Sequence, residues 1–486
     1  MTRARATLAA VVAAAVACSS SSSAPTPGPT SPTPPAGDPP VGGQGTPTPE
    51  PPADEDWPQF RHDLHGTSSA GATLTTAQGA SLHEVWSFEL GPYGFSEPIR
   101  AGDAVYATTA VLGKVYALDA ATGQARWTRD LGAVLTSGCG GDDRPGIWAS
   151  AAVAGGTLYI SAPDGAVHAL DPATGADRWT AHVANPAPHA ELIQSSPTVS
   201  LARGHLYVGV AATAHCDPVQ GRIAAVDLAT GSVAEMPVVD PGQVGGAVWT
   251  SLSVDEPAGV VFASTGNAIG GMAGEPLAQA IVALDAGTLA QRGHWQNPAP
   301  LDNCDFGASP TLFSDASGRA LVAAASKDGW LYALDRADLA AGPAWKRQVA
   351  TLEPSDPTHC GDPLHGYGSI VSPAFANGLL YAAGGHTPDG APGSVVALEP
   401  ATGAVRFVHR TPGYVLGAMA VAGDVLAVTS NAADSASSTL EILDAHTGDV
   451  LRRFDRPSAT FAGVSVSRGG LVLWADFDGH LTAYAP

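Results

Sequence analysis

A unit of roughly 45 to 65 residues repeats along this chain, and that period constrains the fold more than any other feature. In each unit an apolar run ends on Asp or Glu. Two residues follow, then Thr-Gly, then a run that often carries Trp. The clearest copies are residues 115–123, followed by Trp127, and residues 167–175, followed by Trp179. Others lie at 223–231, 281–288, 331–335, 395–403 and 440–448. The acidic anchors are Asp119, Asp171, Asp227, Asp285, Asp335, Glu399 and Asp444, spaced by 52, 56, 58, 50, 64 and 45 residues. The aromatic fades in units three and seven and becomes Phe407 in unit six. An Asp that bonds the backbone ahead of it, followed by a Gly that supplies positive φ, closes a hairpin. Two further strand-like runs precede each anchor; unit two has runs at 150–153, 157–161, 166–170 and 177–181. Four strands per unit is a propeller blade. An eighth unit, 478–484, stops one strand short of complete. Residues 84–90 alternate correctly and carry Trp86, so they are expected to supply the missing outer strand. Such an exchange removes free sheet edges. The expected fold is all-β, an eight-bladed β-propeller over residues 56–486, closed by an N-terminal strand.

Composition agrees. The chain has 57 Gly, 40 Pro and only 14% charged residues, which suits short strands and turns. A net charge of −22 leaves no basic patch to neutralise phosphates, so nucleic acid is excluded as a partner. Residues 1–18 read as a secretory signal: Arg3 and Arg5, a short apolar run from Leu8, then Ala15-Val16-Ala17 before Cys18. Cleavage after the small residues is one reading. A lipobox, with Cys18 lipid-modified as a membrane anchor, is the other, and the sequence that follows favours it. Residues 19–55 are rich in Ser, Pro and Thr, cannot bury apolar surface, and are expected to be a disordered tether. The expected location is outside a bacterial membrane, in the periplasm or at the cell surface.

In a propeller, the blade-to-blade loops and the second-to-third-strand loops share one face. The length variation falls there: 132–146, 182–194, 211–221, 267–279, 297–306, 351–368 and 384–393. Cys139, Cys216, Cys304 and Cys360 all lie in these segments, so up to two disulfides are expected, with three pairings open. Elaborated loops on a rigid scaffold are where binding is expected.

The repeats resemble those of bacterial quinoprotein dehydrogenases, which bind pyrroloquinoline quinone (PQQ). The resemblance covers the whole folded region from Asp56-Trp-Pro-Gln-Phe-Arg-His onward. It is nearer to the polyvinyl-alcohol dehydrogenase branch, in the order Gly245-Gly-Ala-Val-Trp249-Thr-Ser, Ser264-Thr-Gly-Asn267, Asp305-Phe-Gly-Ala-Ser-Pro310. It implies that the quinone stacks on Trp249, that Asn267 is a Ca²⁺ ligand and that Asp305 is the catalytic base. It also implies that Lys327 contacts the quinone oxygens and that Arg144 binds a cofactor carboxylate. Each residue also has a purely structural use. Trp249 suits packing between blades and Asn267 suits a left-handed turn after Gly266. Asp305 suits a strand start, Lys327 flanks the Asp328-Gly329 turn, and Arg144 suits a surface ion pair. The chain departs from the family in two places. Near Arg144 there is a single cysteine, Cys139, instead of two adjacent ones. No Glu stands where the acidic calcium ligand belongs, leaving Asp217 to substitute.

No phosphate loop, zinc-type spacing or nucleophile elbow competes. The absence of Cys-x-x-Cys-His means that an electron acceptor would be a separate protein. The functional expectation is a PQQ- and Ca²⁺-dependent dehydrogenase acting on a small-molecule or polymeric alcohol. The alternative is a non-catalytic propeller that binds protein partners, like the propeller lipoprotein of the outer-membrane assembly machinery. A sugar- or polymer-binding propeller is a third reading.

Overall fold

A computed structural model describes residues 56–486 apart from 71–73, 134–144, 187–190, 213–218, 270, 272, 299–300, 302 and 356–357. Residues 1–55, on which the expected signal, Cys18 anchor and tether fall, lie outside the described residues, as do Cys139, Arg144, Cys216 and Asp217.

Eight antiparallel blades follow one another, as the repeat requires: seven have four strands, and blade 3 adds a fifth, the short Glu191–Leu192. Blade 1 runs outward from Ile99–Ala101 through Ala104–Thr108 and Lys114–Asp119 to Ala125–Asp130. Blade 8 takes its three inner strands, Ser465–Ser467, Leu471–Ala475 and His480–Ala485, from the C-terminus. Its outer strand is His83–Glu89, which pairs with the last strand from His83 opposite Ala485 to Glu89 opposite His480. The ring is therefore closed by the two ends of the domain, as expected. Middle strands such as Ala104–Thr108 and Thr157–Ser161 are buried along their whole length, because neighbouring blades cover both faces. The outer strands are largely exposed.

The repeat motif explains how blades dock. In blade 1, Asp119 Oδ1 accepts the backbone N–H groups of Ala121 (3.1 Å) and Thr122 (3.0 Å) and the Thr122 hydroxyl (2.9 Å). Gly123 then turns the chain at φ +70°. Trp86 of blade 8 lies flat over that glycine, where an added Cβ would come within 2.6 Å of its ring. The Trp86 indole donates to Ala120 O at 2.9 Å. Trp127 repeats this on blade 2, donating to Pro172 O at 3.0 Å, and Trp345 on blade 6, donating to Pro400 O at 2.8 Å. The Thr-Gly of one blade is thus the seat for the aromatic of the blade before it. Where the aromatic fades, in blade 3, the second-strand Tyr207 donates across to Ala286 O of blade 4 instead.

Residues 57–70 wind around one end of the central channel. Trp57 pairs with Arg100 of blade 1. Pro58, Leu64, His65, Thr67 and Ser68 accept backbone bonds from Val153, Val254, Leu312, Phe375 and Val421 in turn. The guanidinium of Arg61, 1% exposed, donates to Ser309 O (3.1 Å), Pro310 O (3.0 Å) and Pro373 O (3.0 Å), and also to Gly66 O and the Thr311 hydroxyl. This segment plugs the channel on the side away from the elaborated loops.

Candidate active site

The elaborated loops of blades 4 and 5 bring four of the expected residues together. Asp305 enters the inner strand of blade 5, and Lys327 sits in that blade's second-to-third-strand turn. The Lys327 backbone N–H donates to Asp305 O at 3.0 Å. The ammonium donates to Asp305 Oδ2 at 2.8 Å and to Asn303 Oδ1 at 2.9 Å. The two side chains are 1% and 4% exposed, so this is a buried ion pair.

Asn267 lies in the equivalent turn of blade 4. A short ladder, Val244–Gly245 against Ala268–Ile269, holds it there. Its backbone N–H donates to Asp305 Oδ1 at 2.7 Å, so both carboxylate oxygens are engaged. Its side-chain Oδ1 is buried and has no hydrogen-bond partner among the described residues. Such an orphaned acceptor carries a desolvation cost that a donor or a cation would remove.

Trp249 stands at the start of blade 4's inner strand, half-buried, with the Lys327 ammonium 5.7 Å from its ring centroid. Gly307 faces it: a Cβ there would lie 2.7 Å from Trp249 Cη2. Trp249 and Gly307 line the central well, which is open to solvent at its mouth.

Cys304 and Cys360 form a disulfide, which settles one of the open pairings. It ties the loop carrying Asp305 to the loop before blade 6, and it flanks the ion pair directly. Gly361 N–H donates to Lys327 O at 2.9 Å, and the Ser326 hydroxyl donates to Cys304 O at 3.1 Å.

Sequence reasoning had named Trp249, Asn267, Asp305 and Lys327. It did not name Asn303, the second acceptor on Lys327, whose only local signal is that it stands two residues before Asp305. Nor did it name Glu97, 2% exposed on the wall of the well. Glu97 Oε1 accepts the Trp57 indole N–H (2.7 Å) and the Arg61 backbone N–H (2.8 Å), while Oε2 is buried without a partner among the described residues. Burial pushes its carboxyl up to about 8, against the lowering effect of those bonds and of the Arg61 charge. Burial likewise lowers Arg61, to about 10. Among the described residues no group of three His, Cys, Asp or Glu side chains gathers to hold a metal. The oxygens at hand are those of Asn267 and Asp305.

A family model described as outer membrane protein assembly factor BamB matches residues 72–340 and 327–486. The chain belongs to this family of PQQ-type propellers. It is also 28% identical over 327 residues to the polyvinylalcohol dehydrogenase of Sphingopyxis sp. (strain 113P3), a match covering 57% of this chain and 48% of that protein. It is 26% identical over 328 residues to the quinohemoprotein alcohol dehydrogenase of Comamonas testosteroni, covering 58% and 45%. The chain thus spans about half the length of the curated relatives it matches. The solved structure of the Comamonas enzyme superposes with a TM-score of 0.68 at 19% identity, covering 89% of this chain and 80% of that one. BamB from Moraxella catarrhalis superposes less well, at a TM-score of 0.53 and 18% identity, covering 83% and 98%. These superpositions establish the shared propeller fold. Among the described residues no helix is long and apolar enough to cross a membrane.

Proposed function

We propose that this chain is a quinoprotein alcohol dehydrogenase, with PQQ stacked on Trp249, Ca²⁺ at Asn267 and Asp305, and a small or polymeric alcohol as substrate. The observation that carries the reading is the cluster in which Asn267 and Lys327 both bond Asp305 and the Lys327 ammonium lies 5.7 Å from the ring of Trp249, which lines the well. The residues fit the cofactors. The indole of Trp249 offers a flat apolar face. The orphaned Asn267 Oδ1 is a hard oxygen donor of the kind Ca²⁺ takes, and Asp305 adds charge. Arg144 would bind a cofactor carboxylate and Asp217 would complete the metal's ligands, as the family resemblance implies.

When bound, PQQ supplies a two-electron acceptor for the alcohol's hydride and Ca²⁺ supplies Lewis acidity. The protein's part is to hold and deprotonate the substrate. Asp305 takes the hydroxyl proton on a carboxylate oxygen, each of which accepts one bond, from Asn267 N–H or the Lys327 ammonium, and keeps a second lone pair. Lys327, fixed by Asn303, keeps that carboxylate oriented. The disulfide Cys304–Cys360 holds both partners in register. A separate protein would serve as the electron acceptor, since the sequence carries no Cys-x-x-Cys-His haem motif. The export signal and lipid anchor at Cys18 would place this chemistry outside the cytoplasm.

Relatives named BamB support a second reading, a scaffold that binds protein partners without cofactor. Dye-linked oxidation of alcohols by the full chain, supplied with PQQ and Ca²⁺, separates the two. Asp305→Asn is expected to lower the rate at least 100-fold, within the range of general-base contributions, while the circular dichroism of the folded propeller persists. An unchanged rate removes Asp305 from its role. No turnover by the wild-type chain on any alcohol favours the scaffold.

A further inference from the structure

Below Trp249 the well changes character. Its upper collar is aromatic and aliphatic: Phe95, Trp148, Trp249 and Phe461 line it. Phe95 stacks on Phe461 with centroids 4.3 Å apart and leans on Trp148 at 5.3 Å. The next layer down is polar. Each inner strand contributes one residue there, and in blades 2 to 6 that residue is serine. The serines are chained around the channel. Ser150 N–H donates to Ser196 Oγ, Ser196 N–H to Ser251 Oγ, Ser251 N–H to Ser309 Oγ and Ser309 N–H to Ser372 Oγ, each at 2.9 Å. Among the described residues, none of these four accepting hydroxyls donates to another protein group, so their O–H bonds are left for the well.

The ring breaks at blades 7, 8 and 1, where the residues are Ala418, Gly463 and Glu97. The break is built around the acid. A Cβ on Gly463 would come 2.3 Å from Glu97 Oε2, so glycine makes the space that the carboxyl occupies. Glu97 lines the well, and that oxygen is buried at its wall with no partner among the described residues.

We infer that this floor is a binding subsite for a neutral ligand with two or more hydroxyls, a diol or polyol, seated between the Glu97 carboxyl and the serine ring. The lining favours a neutral ligand: apart from Glu97 the residues that line the well are uncharged, and no cationic side chain is there to hold an anion. A hydroxyl both donates and accepts, so it satisfies a serine O–H and the Glu97 carboxyl together. The aromatic collar takes the hydrocarbon between hydroxyls. The residue at each ring position is legible by aligning the inner strands. Blades 2 to 6 read Ser150, Ser196, Ser251, Ser309 and Ser372, and blade 1 alone places an acid there. The meaning of the subsite as a substrate-chain site rests on the alcohol-dehydrogenase reading, but its test needs no cofactor.

The test is ligand-observed saturation-transfer NMR on the full chain without PQQ, titrating 2,4-pentanediol and, separately, 2-pentanol. The diol is expected to bind at least 10-fold more tightly than the monoalcohol. Glu97→Leu, and independently Ala418→Leu, which fills the floor from a position that holds no plug residue, are each expected to weaken diol binding at least 10-fold. Thermal melting verifies that each variant is folded. If Glu97→Leu does not fold, Ala418→Leu decides alone. Absence of diol binding to the wild-type chain, equal binding of the two alcohols, or undiminished binding in the folded variants overturns the subsite. Because PQQ is absent throughout, those results stand apart from any failure of the quinoprotein reading.

Discussion

Lys327 and Asp305 hold each other in a site that is almost dry. Removing one member of such a pair leaves a buried charge without its counterpart, which costs about 3–5 kcal/mol. Lys327→Met is therefore expected to lower unfolding stability by roughly that amount, read by chemical denaturation. Asp305→Asn/Lys327→Met, which removes both charges, is expected to recover much of the loss. Glu97 gives a pH-dependent counterpart. Its folded carboxyl is raised to about 8 from 4.5, so the folded chain binds a proton that the unfolded chain has released. Its contribution is complete below pH 4.5 and is lost progressively as pH rises toward about 8. The melting temperature of Glu97→Gln relative to the wild type is expected to climb over that interval and level off above it. A difference that is flat with pH would show that Glu97 ionises normally in the fold. At this scale short motifs in the sequence singled out Trp249, Asn267, Asp305 and Lys327, which the fold brings together. It was not legible for Glu97 or Asn303. Their roles depend on which residues arrive from distant segments: Gly463 and Trp57 for the first, Lys327 for the second.

The repeating turn is the element that assembles the ring. Trp345 is 8% exposed, lies over Gly403 of the next blade and bonds its Pro400 carbonyl. Trp345→Ala is expected to cost about 3–5 kcal/mol, the usual range for truncating a buried large aromatic. Gly403→Ala is expected to be damaging on its own, because φ is +65° and the Cβ would lie 2.5 Å from that indole. The disulfide Cys304–Cys360 closes a loop of 56 residues in sequence. Cys304→Ser/Cys360→Ser is expected to lower stability by about 2–4 kcal/mol and to loosen the ion pair it flanks. The strand pattern and the turns were readable from period and turn chemistry, as was the placing of Cys304 and Cys360 in neighbouring loops. The pairing was not, because three connectivities fit one sequence and only the packed loops choose among them.

The whole molecule is held by contacts between its ends. His83–Glu89 completes blade 8, and residues 57–70 then bond to the inner strands of blades 1, 2, 4, 5, 6 and 7. The closing strand was anticipated because blade 8 lacked one and residues 84–90 alternate. The plug was not, since 57–70 has no strand periodicity and acquires its bonds only from the ring it enters. Deleting residues 1–90 is expected to expose the free edge of His480–Ala485 and to give an aggregation-prone chain by size-exclusion chromatography. Deleting only residues 1–55 is expected to leave a soluble, cooperatively melting propeller, because the plug and the closing strand, residues 57–70 and 83–89, are kept. The central claim concerns the mouth of the well, and it is tested most directly by titrating the full chain with PQQ and Ca²⁺ while following its thermal melting. A melting temperature that rises with cofactor concentration through linkage, with the rise greatly reduced in Trp249→Ala and Asn267→Ala, is the predicted result. A melting curve unmoved by saturating PQQ and Ca²⁺ would contradict the quinoprotein reading.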